Sequence, residues 1–139
     1  MKIYRQGDVL LLKIDGAKIN RDKASKVDAD AKRGVVLAYG EVTGHAHALD
    51  PEVCSLYLGE PGAVDGVNID GMLAEFTGGE VGLRTSDRIL TVRTDTTLRH
   101  TMPDGAPSGD HGDIGLDAGV YVVRRQREYD PERERLIAD

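Results

Sequence analysis

The sequence has little cysteine and no long apolar run. Its 139 residues include one cysteine, Cys54, so an intramolecular disulfide framework is excluded. A lone cysteine fits a reducing compartment, and we interpret it as a small buried hydrophobe rather than a nucleophile. No run approaches the ~20 apolar residues that a membrane helix needs, and residues 1–8 are too polar for a signal peptide. We therefore expect a cytoplasmic protein with no membrane partner.

Basic residues are fewer than acidic ones, and aromatic residues are scarce. Eighteen lysines and arginines stand against 24 aspartates and glutamates, which gives a net charge of −6. A phosphate backbone requires a basic surface, so we expect no nucleic-acid partner. Tryptophan is absent and there is one phenylalanine, so stacking platforms for single-stranded nucleic acid would have to come from the five tyrosines, which are scattered. The basic stretch 124–127 is followed by acidic residues, which is typical of a solvated segment of mixed charge.

Glycine is abundant, and the 17 glycines help to place a turn signal about every ten positions. This punctuation favours many short strands over long helices. Residues 17–33 indicate an exposed loop. The pattern predicts an all-β fold in one domain, 1–139: a small β-barrel or β-sandwich of short antiparallel strands with long loops rich in Gly and Asp. The predicted strands are 9–14, 35–43 running on to a histidine pair, 53–58, 72–76, 89–93, 96–100, a hairpin of 114–116 with 120–124, and an edge strand 135–138.

That histidine pair is the strongest functional signal. His45 and His47 are separated by one residue, so on a strand both side chains lie on the same face, with Cα atoms roughly 6.5–7 Å apart. Two imidazoles at this spacing can bind one metal ion. The other two histidines, His100 and His111, form a second cluster, and all four are candidate metal ligands. The two clusters form one site only if their segments are neighbours in space; otherwise these histidines are polar loop residues.

Carboxylates near the pair extend the candidate site. Glu41 and Glu52 are candidates for a further ligand or for a proton-transfer group, which makes them the candidate catalytic residues. Imidazole ligands suit Zn²⁺, Fe²⁺, Mn²⁺ and Ni²⁺, so the sequence predicts a divalent cofactor without selecting among these ions. Three protein ligands with an open position are typical of catalysis, whereas four histidines would close a structural site.

The first cluster resembles the first motif of cupin proteins, in which a glycine precedes His-x-His and a glutamate and a second glycine follow. The corresponding residues here are Gly40, His45, His47, Glu52 and Gly59, and the first spacer is one residue shorter than in cupins. The resemblance covers 20 residues and implies a small barrel. It also implies that His45, His47 and Glu52 are metal ligands.

Two further likenesses add less. The stretch 116–121 resembles the hairpin of the second cupin motif, but no histidine follows it. The chain also resembles an uncharacterised group of small bacterial proteins that share Gly-Glu-Val-Thr-Gly-His-Ala-His (40–47) and Gln-Arg-Glu-Tyr (126–129). This second resemblance implies no activity.

Two functions remain open at this point. In the first, the chain is a metal-dependent β-barrel enzyme for a small-molecule substrate, with His45, His47 and one of His100 or His111 as ligands. In the second, it is a structural or interaction module, such as a phage- or operon-associated accessory protein. The histidines would then be loop residues or a stapling site, and Tyr129 in the tail would contact a partner. An edge strand near the C-terminus would allow a homodimer.

Overall fold

Short antiparallel strands dominate the computed structural model, which describes residues 2–40, 44–78, 82–109 and 112–125. Within these ranges there are twelve strands and one helix. In chain order they are β1 Lys2–Gln6, β2 Val9–Lys13, β3 Lys18–Ile19, β4 Lys26–Val27, β5 Val35–Tyr39, β6 Ala46–Leu49, β7 Cys54–Leu58, β8 Val64–Asp65, α1 Ile69–Phe76, β9 Arg88–Val92, β10 Thr96–Thr101, β11 Ile114–Leu116 and β12 Gly119–Arg125.

The strands form two main sheets and a small ribbon. The large sheet has the order β1-β2-β12-β9-β7-β4, the small sheet has the order β11-β10-β6-β5, and β3 pairs with β8. The described strands do not close into a barrel, because each main sheet ends in edge strands. The predicted all-β fold is confirmed, and the architecture is sandwich-like rather than a barrel.

The large sheet is covered on both faces, which explains the unbroken apolar run of β2. Val9 and Leu11 face the core shared with the small sheet. Leu10 and Leu12 face a second core, to which α1 contributes Leu73. A strand buried on both faces reads as a continuous apolar stretch rather than as an alternating one. The molecule therefore has three layers, with the large sheet in the middle.

One predicted strand, 72–76, is wrong because these residues form the C-terminal part of α1. The helix begins at Asn68, whose side-chain oxygen accepts a hydrogen bond from the backbone N–H of Gly71 at 3.1 Å. Ile69, Met72 and Leu73 then follow a helical spacing and pack on the second core. In the described part of the chain, no helix has the length and apolar character to cross a membrane.

The predicted continuation of the strand 35–43 into the histidine pair is wrong. The histidine pair does not continue β5, because β5 ends at Tyr39 and β6 returns antiparallel to it, with Tyr39 opposite Ala46. Residues 41–43 between them lie outside the described residues, as does the predicted edge strand 135–138.

The predicted hairpin of 114–116 with 120–124 is also wrong. β11 pairs with β10 in the small sheet, whereas β12 pairs with β2 and β9 in the large sheet. Asp117 and Ala118 form the corner where the chain changes sheets. The Tyr121 hydroxyl donates to the Asp117 carbonyl at 2.6 Å, and the Ala118 N–H donates to Asp95 at 2.9 Å. These bonds hold the corner.

Candidate functional site

The pairing of β6 with β10 places two histidines opposite each other. His47 is the register partner of His100, and their ring centroids are 4.7 Å apart. Alternation along each strand puts these side chains on the same face as Leu49 and Leu98, which belong to the core between the sheets. His47 is 0 % exposed and His100 is 3 % exposed. The pair thus sits on the inner face of the small sheet.

His45 completes a cluster of three imidazoles. It precedes β6 by one residue, and its ring centroid lies 5.3 Å from that of His100 in an edge-to-face arrangement. His45 is half-buried, in contrast to the other two. The structure therefore brings together three of the four predicted histidine ligands. The fourth, His111, lies outside the described residues.

Gln6, at the end of β1, fixes the hydrogen-bonding state of His47. The Gln6 side-chain nitrogen donates to the carbonyls of Leu98 at 3.2 Å and Gly112 at 2.9 Å. Its oxygen consequently points to His47, 2.8 Å from Nδ1. An amide oxygen only accepts, so Nδ1 of His47 carries the proton. In the neutral ring the lone pair then belongs to Nε2.

His100 is held by the loop that follows its own strand. Its Nδ1 lies 2.5 Å from the hydroxyl of Ser108, and the backbone N–H of Ser108 donates to the His100 carbonyl at 2.9 Å. An isolated bridge between Thr101 and Pro107 closes the same turn. Loop 102–109 therefore folds back over the histidine, and Nδ1 of both buried rings is engaged by a neighbouring side chain.

The spacing of the rings is compatible with a shared metal ion, although packed ring pairs commonly have the same spacing. With metal–nitrogen distances of about 2.0–2.1 Å, two imidazoles on one tetrahedral ion have centroids about 5 Å apart. The observed separations of 4.7 Å and 5.3 Å match this spacing. A histidine that ligates a metal commonly uses its other ring nitrogen in a hydrogen bond, as His47 and His100 do.

The rings nevertheless pack against one another in edge-to-face and tilted pairs, and their nitrogens do not surround a common metal position. In the ranges that the structure describes, no group of three His, Cys, Asp or Glu side chains is placed to hold a metal ion. Binding would therefore require rotation of at least one ring. His45 is the candidate for that rotation, because it is the half-buried member at the edge of the cluster.

Glu52, one of the two predicted carboxylates, does not join the imidazoles. Glu52 lies in the exposed turn after β6, at the end of the strand away from His45. Its backbone N–H donates to Asp50 at 2.9 Å, and its carbonyl accepts from Arg93. These contacts serve the turn that leads into β7. Glu41, the other predicted carboxylate, lies outside the described residues.

Cys54 has the surroundings of a structural residue. Its side chain is 2 % exposed and belongs to the core between the sheets. Burial, with a smaller contribution from Asp50, raises the pKa of this thiol to about 11. The neutral thiol therefore predominates at physiological pH, and the thiolate needed for nucleophilic or ligand chemistry is disfavoured.

Gln6 and Ser108 are the functional candidates that sequence reasoning missed. Gln6 precedes a Gly-Asp turn and Ser108 lies in a loop rich in Gly and Pro, so neither has a local signal of its own. Their roles follow only from the folded structure, in which Gln6 contacts His47 across the sandwich and Ser108 contacts His100 within the loop.

Comparison with known proteins gives a family but no relative of established activity. A family model described as "Domain of unknown function (DUF8820)" matches residues 5–126. No curated protein and no solved structure matches the chain. The matched range contains Gln6, Ser108 and all four histidines, so the whole candidate site lies inside it.

Proposed function

The chain belongs to the family described as domain of unknown function (DUF8820), and for it we propose divalent-metal binding at His45, His47 and His100. The proposal rests above all on one observation: the buried cross-strand pair of His47 and His100, with Nδ1 of His47 protonated by its bond to Gln6. That bond leaves the lone pair of the neutral ring on Nε2, the nitrogen that would act as the metal ligand.

The hydrogen bonds of the cluster would prepare two of the three ligands. Metal binding requires the neutral form of imidazole, in which one ring nitrogen keeps a lone pair. Gln6 and Ser108 engage Nδ1 of His47 and of His100, so a divalent ion would find these two rings already oriented.

The ligand chemistry leaves the ion open among Zn²⁺, Fe²⁺, Mn²⁺ and Ni²⁺. A bound ion with three protein ligands would supply Lewis-acid chemistry to a small molecule at its remaining position. In this proposal, Gln6 orients His47 and Ser108 orients His100. The half-buried His45 lies on the side from which a small molecule would approach. We also propose a reducing location such as the cytoplasm, since Cys54 is a free buried thiol.

Elemental analysis of untagged protein tests the proposal. The wild type, dialysed against each divalent ion and then against buffer, should retain about one ion per chain. His47→Ala and His100→Ala should lose it, and so should His45→Ala, which alters a less buried side chain and is the variant expected to fold best. Lys26→Ala, an exposed change on β4, is the control and should retain the ion.

Two results would overturn the proposal. One is a folded wild type that retains none of the four ions. The other is a triple histidine variant that retains as much metal as Lys26→Ala. Circular dichroism and thermal melting of each variant show whether a loss of metal reflects loss of the fold.

A further inference from the structure

A cavity lies on the outer face of the small sheet, behind the histidines. Its volume is about 450 Å³, and its walls come from the turn 30–34, from β6 and β10, and from the turn after β6. On these strands Arg99 pairs with Ala48, one position away from the pair of His100 and His47. Neighbouring residues on a strand point to opposite faces, so the cavity and the histidine cluster are back to back.

Basic side chains outnumber acidic ones in the lining, although the whole chain has a net charge of −6. Lys32, Arg33 and Arg99 contribute three positive charges, and Asp30 and Asp50 contribute two negative ones. The ion pairs found among the described residues involve none of the three basic side chains. Asp30 attracts the charge of Arg33 without forming an ion pair with it, so the described lining keeps an excess of positive charge.

The two carboxylates are already used by turns. Asp30 accepts from the backbone N–H of Lys32 at 2.8 Å and of Arg33 at 2.9 Å, and these bonds lower the pKa of its carboxyl. Its second oxygen accepts from the Tyr39 hydroxyl at 3.3 Å. Asp50 accepts from the backbone N–H of Glu52. Lys32, Arg33 and Arg99 are consequently the charged donors among the residues that line the cavity.

Arg33 is held by two contacts, and one nitrogen of its guanidinium group has no acceptor among the described residues. Its Nε donates to the Pro103 carbonyl at 3.3 Å, and its guanidinium carbon lies 5.3 Å from the centre of the Tyr39 ring. Its Nη1 is buried and has no hydrogen-bond partner among the described residues. A buried guanidinium nitrogen without an acceptor is costly, and an anionic oxygen would satisfy it.

We propose that this cavity binds a small organic oxyanion, a phosphate monoester or a carboxylate, through Arg33 and Arg99. Guanidinium groups match the planar, paired oxygens of both anions. The volume falls within the range of small-molecule sites, which leaves room for an organic body beside the anionic group. The hydroxyl of Thr97, which lies on the same face of β10 as Arg99, would contact that body. This inference does not depend on metal binding, since the two sites share no side chain.

Calorimetric titration with three probes at low ionic strength tests the inference. Glucose 6-phosphate represents the phosphate monoester, succinate represents the carboxylate, and inorganic phosphate represents the bare anion. The wild type should bind one of the two organic probes more tightly than it binds inorganic phosphate. Which of the two binds identifies the anionic group.

The variants are matched in charge. Arg99→Gln alters an exposed side chain and should weaken binding about tenfold or more, and Arg33→Gln should do the same. Arg21→Gln is the control, because Arg21 is exposed and lies outside the cavity. Metal content should be unchanged in Arg99→Gln, which separates this inference from the metal proposal.

Three outcomes would overturn the inference. The first is a wild type that binds none of the probes at millimolar concentration. The second is equal binding of an organic probe by Arg99→Gln, Arg33→Gln and Arg21→Gln. The third is equal binding of inorganic phosphate and glucose 6-phosphate without binding of succinate, since this would indicate an anion subsite with no place for an organic body.

Discussion

Replacing Gln6 by leucine should weaken both the fold and the histidine cluster. Gln6 is 3 % exposed and makes three hydrogen bonds, to His47, Leu98 and Gly112. Leucine is similar in size but makes none of them. At a net value of about 1 kcal/mol for each bond, Gln6→Leu should lower the free energy of unfolding by roughly 3 kcal/mol. The same change removes the acceptor that holds the proton on Nδ1 of His47.

Two measurements follow from this reasoning. Urea denaturation gives the change in stability, and nitrogen-15 NMR of the imidazole shows which ring nitrogen of His47 is protonated. The wild type should show protonated Nδ1, and Gln6→Leu should show a mixture of tautomers. Metal affinity, if the site binds metal as proposed, should fall about 10- to 100-fold.

Gln6→Glu separates the two roles of the side chain. Glutamate keeps an acceptor oxygen for His47 but loses the donor for the carbonyls of Leu98 and Gly112. It should destabilise the fold and preserve the tautomer. The reasoning is refuted if Gln6→Leu costs less than about 1 kcal/mol and leaves the proton of His47 on Nδ1.

The other predictions concern two buried residues, Asp87 and Cys54. Asp87→Asn should lower the free energy of unfolding by about 3–5 kcal/mol in urea denaturation, because Arg124, 2.7 Å from Asp87 and 6 % exposed, would lose its charged partner. Lys2→Gln, at an exposed ion pair, should lower it by less than about 1 kcal/mol. Equal effects of the two changes would contradict this prediction. Cys54, with a pKa raised to about 11, should react with Ellman's reagent far more slowly in the native protein than in urea at pH 8.5. The thiol of Cys54 ionises at a lower pH in the unfolded chain than in the fold. The free energy of unfolding should therefore decline as the pH rises from the ordinary thiol pKa towards 11, and a Cys54→Ser variant should show a smaller decline.

Much of the fold was readable from local patterns. The apolar run of β2, the strands 53–58 and 89–93, and the stretch 96–100 all correspond to observed strands, because burial and turn residues act locally. The helix escapes a local prediction because Met72–Phe76 is too short to show its period, which needs Ile69 and the Asn68 cap as well. The partners of β11 and β12 were missed because a tight corner and a hairpin have similar turn residues.

The candidate site was only partly predictable for a related reason. The spacing of His45 and His47 put both on one strand face, but their meeting with His100 depends on the pairing of β6 with β10, segments that are distant in sequence. Gln6 comes from the first strand, on the opposite sheet, and no local pattern marks it. Glu52 fits a motif by spacing, yet the turn after β6 leaves it exposed at the other end of the strand.

The central claim is that three imidazoles bind one divalent ion, with Nε2 of His47 as a ligand. Nitrogen-15 NMR of labelled protein during a Zn²⁺ titration tests it most directly. We expect the Nε2 resonance of His47 to shift and to saturate at about one equivalent, while Nδ1 stays protonated. Resonances of His45 and His100 should move together with it. Ring resonances that do not respond to Zn²⁺, or that respond without saturating, would contradict the claim.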